Sequence, residues 1–181
     1  RLKLVIAARG PAVRQLPTSL GGEMLLPDGF AQARVCLPGI VAISGPPISP
    51  QPTLAAPDER AIWEASESAV WSTDIDRLTK AIGRDHPLRA WPLLVVVDDS
   101  DFTAANLANF LWVTFTRSNP AADVHGVEAG TRHKHWGCAG PLVIDARLKP
   151  HHAPPVEEDP AVTARVDALG RAGGPLAGIL E

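Results

Sequence analysis

The stretch that decides the fold is Pro92-Leu-Leu-Val-Val-Val-Asp-Asp-Ser-Asp101, near the middle of the chain. Its aliphatic run has apolar side chains on both sides of the chain and ends abruptly at a cluster of aspartates. A short strand that is apolar on both faces is typical of a parallel sheet covered by helices. We therefore predict that residues 91–97 form the central strand of an α/β sheet.

The residues that follow this strand predict one long helix over 102–116. Asp101 or Thr103 would cap this helix, and Asn119-Pro120 would end it. Three of its apolar residues fall on one stripe: Leu107, Leu111 and Phe115.

Two further strands are predicted at 123–127 and 141–145, and we expect a right-handed crossover between the central strand and the strand after Pro120. Before the central strand, residues 33–44 predict a strand region interrupted by Pro38-Gly39. A helix is predicted over 74–82, with Ile75, Leu78 and Ile82 on one face and Gly83 as its stop. The remaining predicted elements are a strand over 1–8, a loop over 17–28, a Pro-rich connector over 45–57 and a helix that begins at Asp58.

The tail differs from the rest in composition, since a His- and Pro-rich arm precedes a helix that begins at Asp159-Pro160. The expected organisation is an α/β domain over 1–150, of which 1–32 is the least distinctive part, and an arm with a helix over 151–181. The fold class is a mixed, largely parallel sheet flanked by helices. The tail has an apolar surface that needs a partner, and we expect it to make a homo-oligomer. Its apolar residues are Val162, Val166, Leu169, Leu176, Ile179 and Leu180.

Composition narrows the classes of function. The 181 residues are 45% hydrophobic, with a formal net charge of −3 and a pI near 6.1, so the chain has neither the basic field that nucleic acid requires nor a polybasic membrane patch. The apolar runs are too short to span a bilayer, and the cytoplasm is the expected location. Cys36 and Cys138 match no disulfide or zinc pattern. The chain opens at Arg1 without a Met, which we interpret as the start of a fragment.

Several motifs in one order resemble the C-terminal domain of UbiD-type decarboxylases. The aliphatic strand with its aspartates is followed by Ala104-Ala-Asn-Leu-Ala-Asn-Phe-Leu-Trp-Val-Thr-Phe-Thr-Arg117 and then by Asn119-Pro-Ala-Ala-Asp-Val124. The later stretch Trp136-Gly-Cys-Ala-Gly-Pro-Leu-Val-Ile-Asp-Ala-Arg-Leu-Lys149 is similar to the Ile-Asp-Ala motif of that family. The resemblance covers roughly residues 33–181.

The resemblance implies a parent enzyme that uses prenylated flavin mononucleotide and a divalent metal to decarboxylate an aromatic or α,β-unsaturated acid, or to carboxylate in reverse. It also implies that the catalytic residues and metal ligands lie in an N-terminal catalytic region, which would be the partner of this chain. No catalytic residue is therefore assigned here, and the chain alone is expected to be inactive and to bind no cofactor. Arg89, just before the central strand, is the candidate contact for the flavin phosphate.

Two other interpretations of the sequence remain open. Asp99 and Asp101 after an aliphatic strand also fit the nucleophile motif of haloacid-dehalogenase-type phosphatases, although the same acids are suited to capping the helix that follows. A transition-metal site is the second possibility, but the histidine spacing matches no standard zinc module, so no metal ligand is assigned. The candidate histidines are His133, His135, His151 and His152.

Overall fold

The computed structural model describes residues 15–21, 24–48, 72–149, 159–171 and 173–177, together with Gly10 and His152. The strand predicted over 1–8, the connector from 49 onward and the helix that begins at Asp58 lie outside the described residues. The described part of 17–28 has no helix or strand, as the sequence predicts.

A five-stranded mixed sheet forms the centre of the molecule, with the strand order β1-β2-β3-β7-β4. The two inner pairs, β2 with β3 and β3 with β7, are parallel, while the outer pairs are antiparallel. A separate hairpin pairs β5 with β6. The predicted α/β class and the central place of the aliphatic strand are both confirmed. The strands are β1 (Ala31–Leu37), β2 (Ile40–Ser44), β3 (Leu93–Val97), β4 (Val124–Gly126), β5 (Ala129–Arg132), β6 (His135–Cys138) and β7 (Leu142–Asp145).

The first two strands form the hairpin that the interruption at Pro38-Gly39 predicts. Gly39 has a φ of +80°, and a Cβ at this position would lie 3.2 Å from the side chains of Leu16 and Pro92, so the turn requires glycine. The β1–β2 register shifts between Ala31 and Ala33 and again between Val35 and Leu37. β1 is therefore an irregular edge strand.

One face of the sheet is covered by α1 (Ser72–Ala81). Ile75 and Leu78 are completely buried and Ile82 nearly so, which confirms the stripe predicted for this helix. They pack with Val41, Leu94 and Val143 from three neighbouring strands in the larger of two apolar clusters. This face holds most of the core of the described residues.

The opposite face is covered by two helices, so the prediction of a single helix over 102–116 is wrong. α2 (Ser100–Ala104) begins after Asp99, whose side chain accepts a hydrogen bond from the Phe102 amide. α3 (Leu107–Thr116) begins after Asn106, whose side chain accepts from the Asn109 amide. An asparagine that caps a new helix competes with continuation of the old one, which explains the break.

The predicted stripe of α3 is present but faces outward. Leu107, Leu111 and Phe115 are exposed, whereas Phe110 and Val113 are buried against the sheet. The buried pair belongs to the second apolar cluster, with Val95, Val97 and Ala146.

The expected crossover from the central strand to the strand after Pro120 is also wrong. β7, and not β4, lies beside β3 in parallel, and β4 pairs with the other side of β7 in the antiparallel sense. β4 is the short sequence Val-His-Gly, whereas β7 begins with Leu-Val-Ile, so the more apolar strand takes the inner position.

The last helix, α4 (Pro160–Gly170), begins after its cap Asp159, as the sequence predicts. All its residues from Pro160 to Leu169 are exposed. After the helix, the Leu176 amide donates to the Leu169 carbonyl oxygen at 3.0 Å. No helix within the described ranges is long and apolar enough to cross a membrane.

Candidate functional site

A cluster of buried charges lies where the chain leaves β7. Asp145 is the last residue of the strand, and Arg147 and Lys149 follow it at alternate positions. In an extended chain, residues two apart point to the same side, so the three side chains face inward together. Their exposed fractions are 1%, 0% and 3%, which makes them some of the most buried charges in the described chain.

Arg147 joins three parts of the fold through its guanidinium group. Nε and Nη2 donate to the two carboxylate oxygens of Asp145 at 2.9 and 2.8 Å, in the paired geometry that suits arginine. Nη1 donates to Asp74 Oδ2 on α1 at 3.0 Å and to the Pro46 carbonyl after β2 at 2.8 Å.

Burial lowers the pKa of Arg147, but the hydrogen bonds and charges of Asp145 and Asp74 more than reverse this effect. The net shift of the pKa is upward, which favours the charged form of the buried guanidinium group.

Lys149 makes a second junction, with a different set of elements. Its Nζ donates to the carbonyl oxygens of Arg117 at 3.0 Å and Asp145 at 2.9 Å, and it forms an ion pair with Asp123 Oδ2 at 3.2 Å. The same Asp123 oxygen accepts from the Asn119 amide at 2.6 Å. The end of α3, the loop before β4 and the exit from β7 therefore meet at one ammonium group.

These buried groups do not have the accessibility that chemistry requires. A catalytic acid or base must reach its substrate, and each of these charges is instead enclosed by protein partners. The cluster is a structural junction that fixes the end of the α/β domain and the start of the tail. Sequence reasoning assigned no role to its residues, although the alternation Asp-x-Arg-x-Lys after a buried strand was a usable signal.

The acidic turn after β3 holds the residues of the phosphatase hypothesis. Asp98 Oδ2 accepts from Arg117 Nη1 and from the Leu148 amide, both at 2.8 Å. Asp99 caps α2, and Asp101 forms an ion pair with Arg34 of β1. Each carboxylate thus has a structural partner, and Asp99 has the capping role that the sequence also allowed.

Arg89 lies in the 3₁₀ turn before β3 and forms an ion pair with Glu128 at 2.7 Å. The hydrogen bond that Arg89 donates to Glu128 raises the pKa of Arg89, and the same bond lowers the pKa of Glu128. A Cβ at Gly140 would lie 3.2 Å from Arg89 Cζ, so glycine leaves room for the guanidinium group. Nη1 is buried and has no hydrogen-bond partner among the described residues.

A role for Arg89 at a flavin phosphate stays a prediction. Glu128 already neutralises Arg89 through Nη2, and Nη1 of the same guanidinium group is buried. One paired arginine does not make the set of donors that holds a whole nucleotide cofactor. The described part of the chain by itself therefore does not fit prenylated flavin mononucleotide.

The candidate metal-binding histidines lie in two places. His133 and His135 are in the β5–β6 hairpin, where His133 and Lys134 take positive φ values at the turn. His152 lies instead beside Lys149, whose amide donates to its Nδ1 at 3.1 Å. His151 is outside the described residues. Within the described ranges, no three His, Cys, Asp or Glu side chains form a group that could hold a metal ion.

Comparisons with known proteins relate half of the chain to a named decarboxylase subunit. No family model matches. Over 91 residues the chain is 35% identical to a 4-hydroxybenzoate decarboxylase subunit of Chlamydia pneumoniae, a match that covers 50% of this chain and 16% of that protein. The chain is related to a decarboxylase subunit. It is also 28% identical over 165 residues to an uncharacterized protein of Chlamydia caviae, covering 91% of this chain and 23% of that protein.

The chain thus spans less than a quarter of the length of these curated relatives. Among solved structures, vanillic acid decarboxylase of Sedimentibacter hydroxybenzoicus in its open form is similar with a TM-score of 0.40 and 13% identity. That similarity covers 71% of this chain and 26% of the other.

Proposed function

We propose that the chain is the C-terminal α/β domain of a UbiD-type carboxy-lyase that acts on an aromatic or α,β-unsaturated acid. In this role it contributes a wall of the cleft and the contacts between subunits, while the reactive groups belong to an N-terminal catalytic region. The relationship to a decarboxylase subunit over 91 residues carries this proposal.

The internal pairing of the charges supports a scaffold role. Arg147 and Lys149 are enclosed by carboxylates and carbonyl oxygens, and they tie α1, α3 and β7 together. A domain that forms a wall of a cleft needs this rigidity, because catalytic groups held by a neighbour must keep their geometry.

The cofactor and partners follow from the same proposal. Prenylated flavin mononucleotide and a divalent metal would be held by the N-terminal region, where the flavin would supply the electron sink for decarboxylation. Contact of Arg89 with the flavin phosphate stays a prediction, and in the isolated chain Arg89 is paired with Glu128. The tail would join two copies of the enzyme, and the cytoplasm is the proposed location.

A haloacid-dehalogenase-type phosphatase fits the geometry less well. Its nucleophile must be free to attack a phosphoryl group, but Asp99 holds the Phe102 amide at 2.9 Å. Its acid would be Asp101, which is paired with Arg34.

The test compares the isolated chain with the complete parent protein supplied with prenylated flavin mononucleotide and Mn²⁺. We expect the parent to release CO₂ from a panel of aromatic acids that includes 4-hydroxybenzoate. The chain alone should release none and should carry no flavin absorbance after gel filtration. Absence of decarboxylation by the parent would overturn the proposal. Mg²⁺-dependent hydrolysis of p-nitrophenyl phosphate by the chain, lost in Asp99→Asn, would replace it with the phosphatase.

A further inference from the structure

The β5–β6 hairpin is exposed on both of its faces. All residues from Glu128 to Gly137 are exposed, and only Cys138 at the end of β6 is half-buried. The two strands form a sheet of their own, separate from the five-stranded sheet. Because an isolated two-stranded hairpin is only marginally stable in water, its geometry depends on how the domain holds its base.

The base of the hairpin is held by hydrogen bonds and one ion pair. The Val127 amide donates to the Pro141 carbonyl oxygen at 2.9 Å, and the Gly140 amide donates to the Val127 carbonyl oxygen at 3.0 Å. Arg89 before β3 pairs with Glu128 at 2.7 Å. A surface that is held in place before binding loses less conformational entropy when a partner binds.

The far end of the hairpin carries only positive charge, and we call it the hairpin tip. The chain has no acidic residue between Glu128 and Asp145. Neither Arg132 nor Lys134 forms an ion pair with a described residue. The whole chain has a formal net charge of −3, so the tip is a positive region on an acidic protein. The hairpin tip consists of Arg132, His133, Lys134, His135 and Trp136.

The turn at the tip has residues that are unfavourable for its backbone conformation. His133 has a φ of +50° and Lys134 a φ of +66°. Two-residue hairpin turns with positive φ at both positions favour Asn-Gly, because most other side chains are strained there. Strained positions of this kind are concentrated at binding sites, where the side chain has a use other than stabilising the turn.

Trp136 adds an exposed apolar group beside the cations. It is 49% exposed and lies opposite Thr131 in the register of the hairpin. One edge of its ring lies over Gly126 of β4, where a Cβ would be 3.5 Å from the ring. Tryptophan and arginine are enriched among the residues that contribute most to protein–protein binding. The tip therefore combines cations with a group suited to the centre of an interface.

Two classes of acidic macromolecule could pair with these cations. Single-stranded nucleic acid also stacks on tryptophan, but its affinity depends on many phosphate contacts. The tip has two permanent cations, Arg132 and Lys134, and the net charge of the chain repels a polyanion. A protein interface needs only a few strong contacts at its centre, so the tip is better suited to an acidic protein surface.

We propose that the hairpin tip docks on a carboxylate-rich surface of a partner protein. Arg132 and Lys134 pair with Asp or Glu side chains of the partner, and Trp136 is covered by an apolar part of the same surface. The cations orient the approach, since exposed charges act over about 10 Å at 0.1 M salt. This surface is additional to the function proposed above and does not depend on decarboxylation.

The first experiment measures binding of a fluorescein-labelled oligoglutamate peptide to the intact chain by fluorescence anisotropy. We expect binding at about 0.01 M salt that weakens tenfold or more towards about 1 M salt, where charges are screened. Arg132→Gln/Lys134→Gln should weaken it about tenfold, as for the loss of two exposed ion pairs. Absence of binding at low salt overturns the proposal.

A matched control removes the same charge elsewhere. Arg165→Gln/Arg171→Gln replaces two exposed cations of the tail and should bind the peptide as the unmodified chain does. Circular dichroism checks that both double variants are folded. Equal weakening in the two variants would mean that the peptide responds to net charge alone, and it would overturn the assignment to the hairpin tip.

The role of Trp136 is tested with a second peptide in which glutamates flank leucines. Trp136→Ala should weaken this peptide roughly fivefold and leave oligoglutamate binding unchanged, because only the second peptide can cover the ring. Equal affinities of Trp136→Ala and the unmodified chain for the leucine peptide would overturn the apolar part of the proposal. A labelled oligothymidine provides the comparison with nucleic acid. Tighter binding of oligothymidine than of both peptides, lost in Arg132→Gln/Lys134→Gln, would replace the protein partner with single-stranded nucleic acid.

A last variant separates the needs of the turn from those of binding. His133→Asn/Lys134→Gly introduces the residues that the turn favours and removes one cation. It should raise the thermal unfolding midpoint by about 2–4 °C and weaken the binding of oligoglutamate. A variant that gains stability and keeps its full affinity would overturn the proposal, since the turn residues would then have no part in binding.

Discussion

The charged residues that follow β3 and those that follow β7 lie at the same end of two neighbouring parallel strands, yet their surroundings differ. The acidic turn after β3 is largely exposed, and Asp99 in this turn accepts a hydrogen bond from the Phe102 amide, three residues along the chain. The cluster after β7 is buried and joins α1, α3 and both sheet faces through Arg147 and Lys149. A run of acids in a sequence suggests a functional site, but in this structure the alternating charges after β7 are the ones that link several elements of the fold.

Asp98 connects the two regions. Its Oδ2 accepts both from Arg117 Nη1 of the α3 end and from the Leu148 amide, which lies between the two buried cations. If burial makes the cluster after β7 the more important one for stability, substitutions there should lower the free energy of unfolding much more than substitutions after β3. The following variants test that difference.

The largest effect is expected for Arg147→Met. Removing the cation leaves Asp145 and Asp74 without their shared partner, and breaking a buried ion pair costs about 3–5 kcal/mol of unfolding free energy. Urea denaturation followed by circular dichroism measures the loss. The control is Arg77→Met, which removes an exposed partner of the same Asp74 and should cost less than about 1 kcal/mol. Equal losses in the two variants would refute the structural role of the buried cluster.

Lys149→Met should lower the free energy of unfolding by about 3 kcal/mol, since Lys149 has one buried carboxylate partner where Arg147 has two carboxylates. The double variant Asp123→Asn/Lys149→Met should lose less than the sum of the single losses, because the two charges then disappear together. Strict additivity would mean that the pair does not interact. Exposed Lys80→Met is the control and should change stability by less than about 0.5 kcal/mol.

A smaller effect is expected in the acidic turn. Asp99→Ala removes the cap of α2 and should cost about 1 kcal/mol, whereas Asp99→Asn keeps a good cap and should cost much less. Thermal unfolding of the two variants measures the difference. If the proposed function is right, both variants of the complete protein should retain decarboxylation. An Asp99→Asn parent that is folded but inactive would show a chemical role for this carboxylate.

The smallest effect concerns pH. The hydrogen bond from Arg89 holds the pKa of Glu128 below its ordinary 4.5. A carboxylate with a lowered folded pKa stabilises the protein above that ordinary value, and the contribution is lost as the pH falls through the folded pKa. In the Glu128→Gln variant, the urea midpoint should therefore change less with pH below about pH 5. Arg89→Met should reduce the pH dependence of the midpoint equally. A different pH dependence in the two variants would exclude the ion pair between Arg89 and Glu128 as the cause.

Two helices show how far periodicity alone predicts the fold. In α1 the stripe of Ile75 and Leu78 is buried, because the rest of the helix is polar and only one side can face the sheet. α3 is apolar nearly all round, so its sequence does not distinguish Phe110, which is buried, from Leu111, which is exposed.

The charged junction is only partly predictable from the sequence. Alternation of Asp145, Arg147 and Lys149 indicates a common side of an extended chain, but the sequence does not reveal that Asp74 and Asp123 come to meet them. Asp74 lies 73 residues before Arg147, and Asp123 lies 26 residues before Lys149. Only the strand order brings these partners together. The place of β7 beside β3, which the crossover prediction missed, is thus what builds the junction.

The irregular edges of the sheet have a consequence for aggregation. Gln32 takes a φ of +46° at the first register shift of β1, and its carbonyl oxygen accepts from the Ser100 hydroxyl and not from another strand. At the other edge, β4 offers only three residues. Bulged or very short edges are poor templates for strand addition, so the described sheet resists growth into cross-β fibrils. A concentrated solution of this chain should accordingly remain free of thioflavin-positive material as long as the fold is intact.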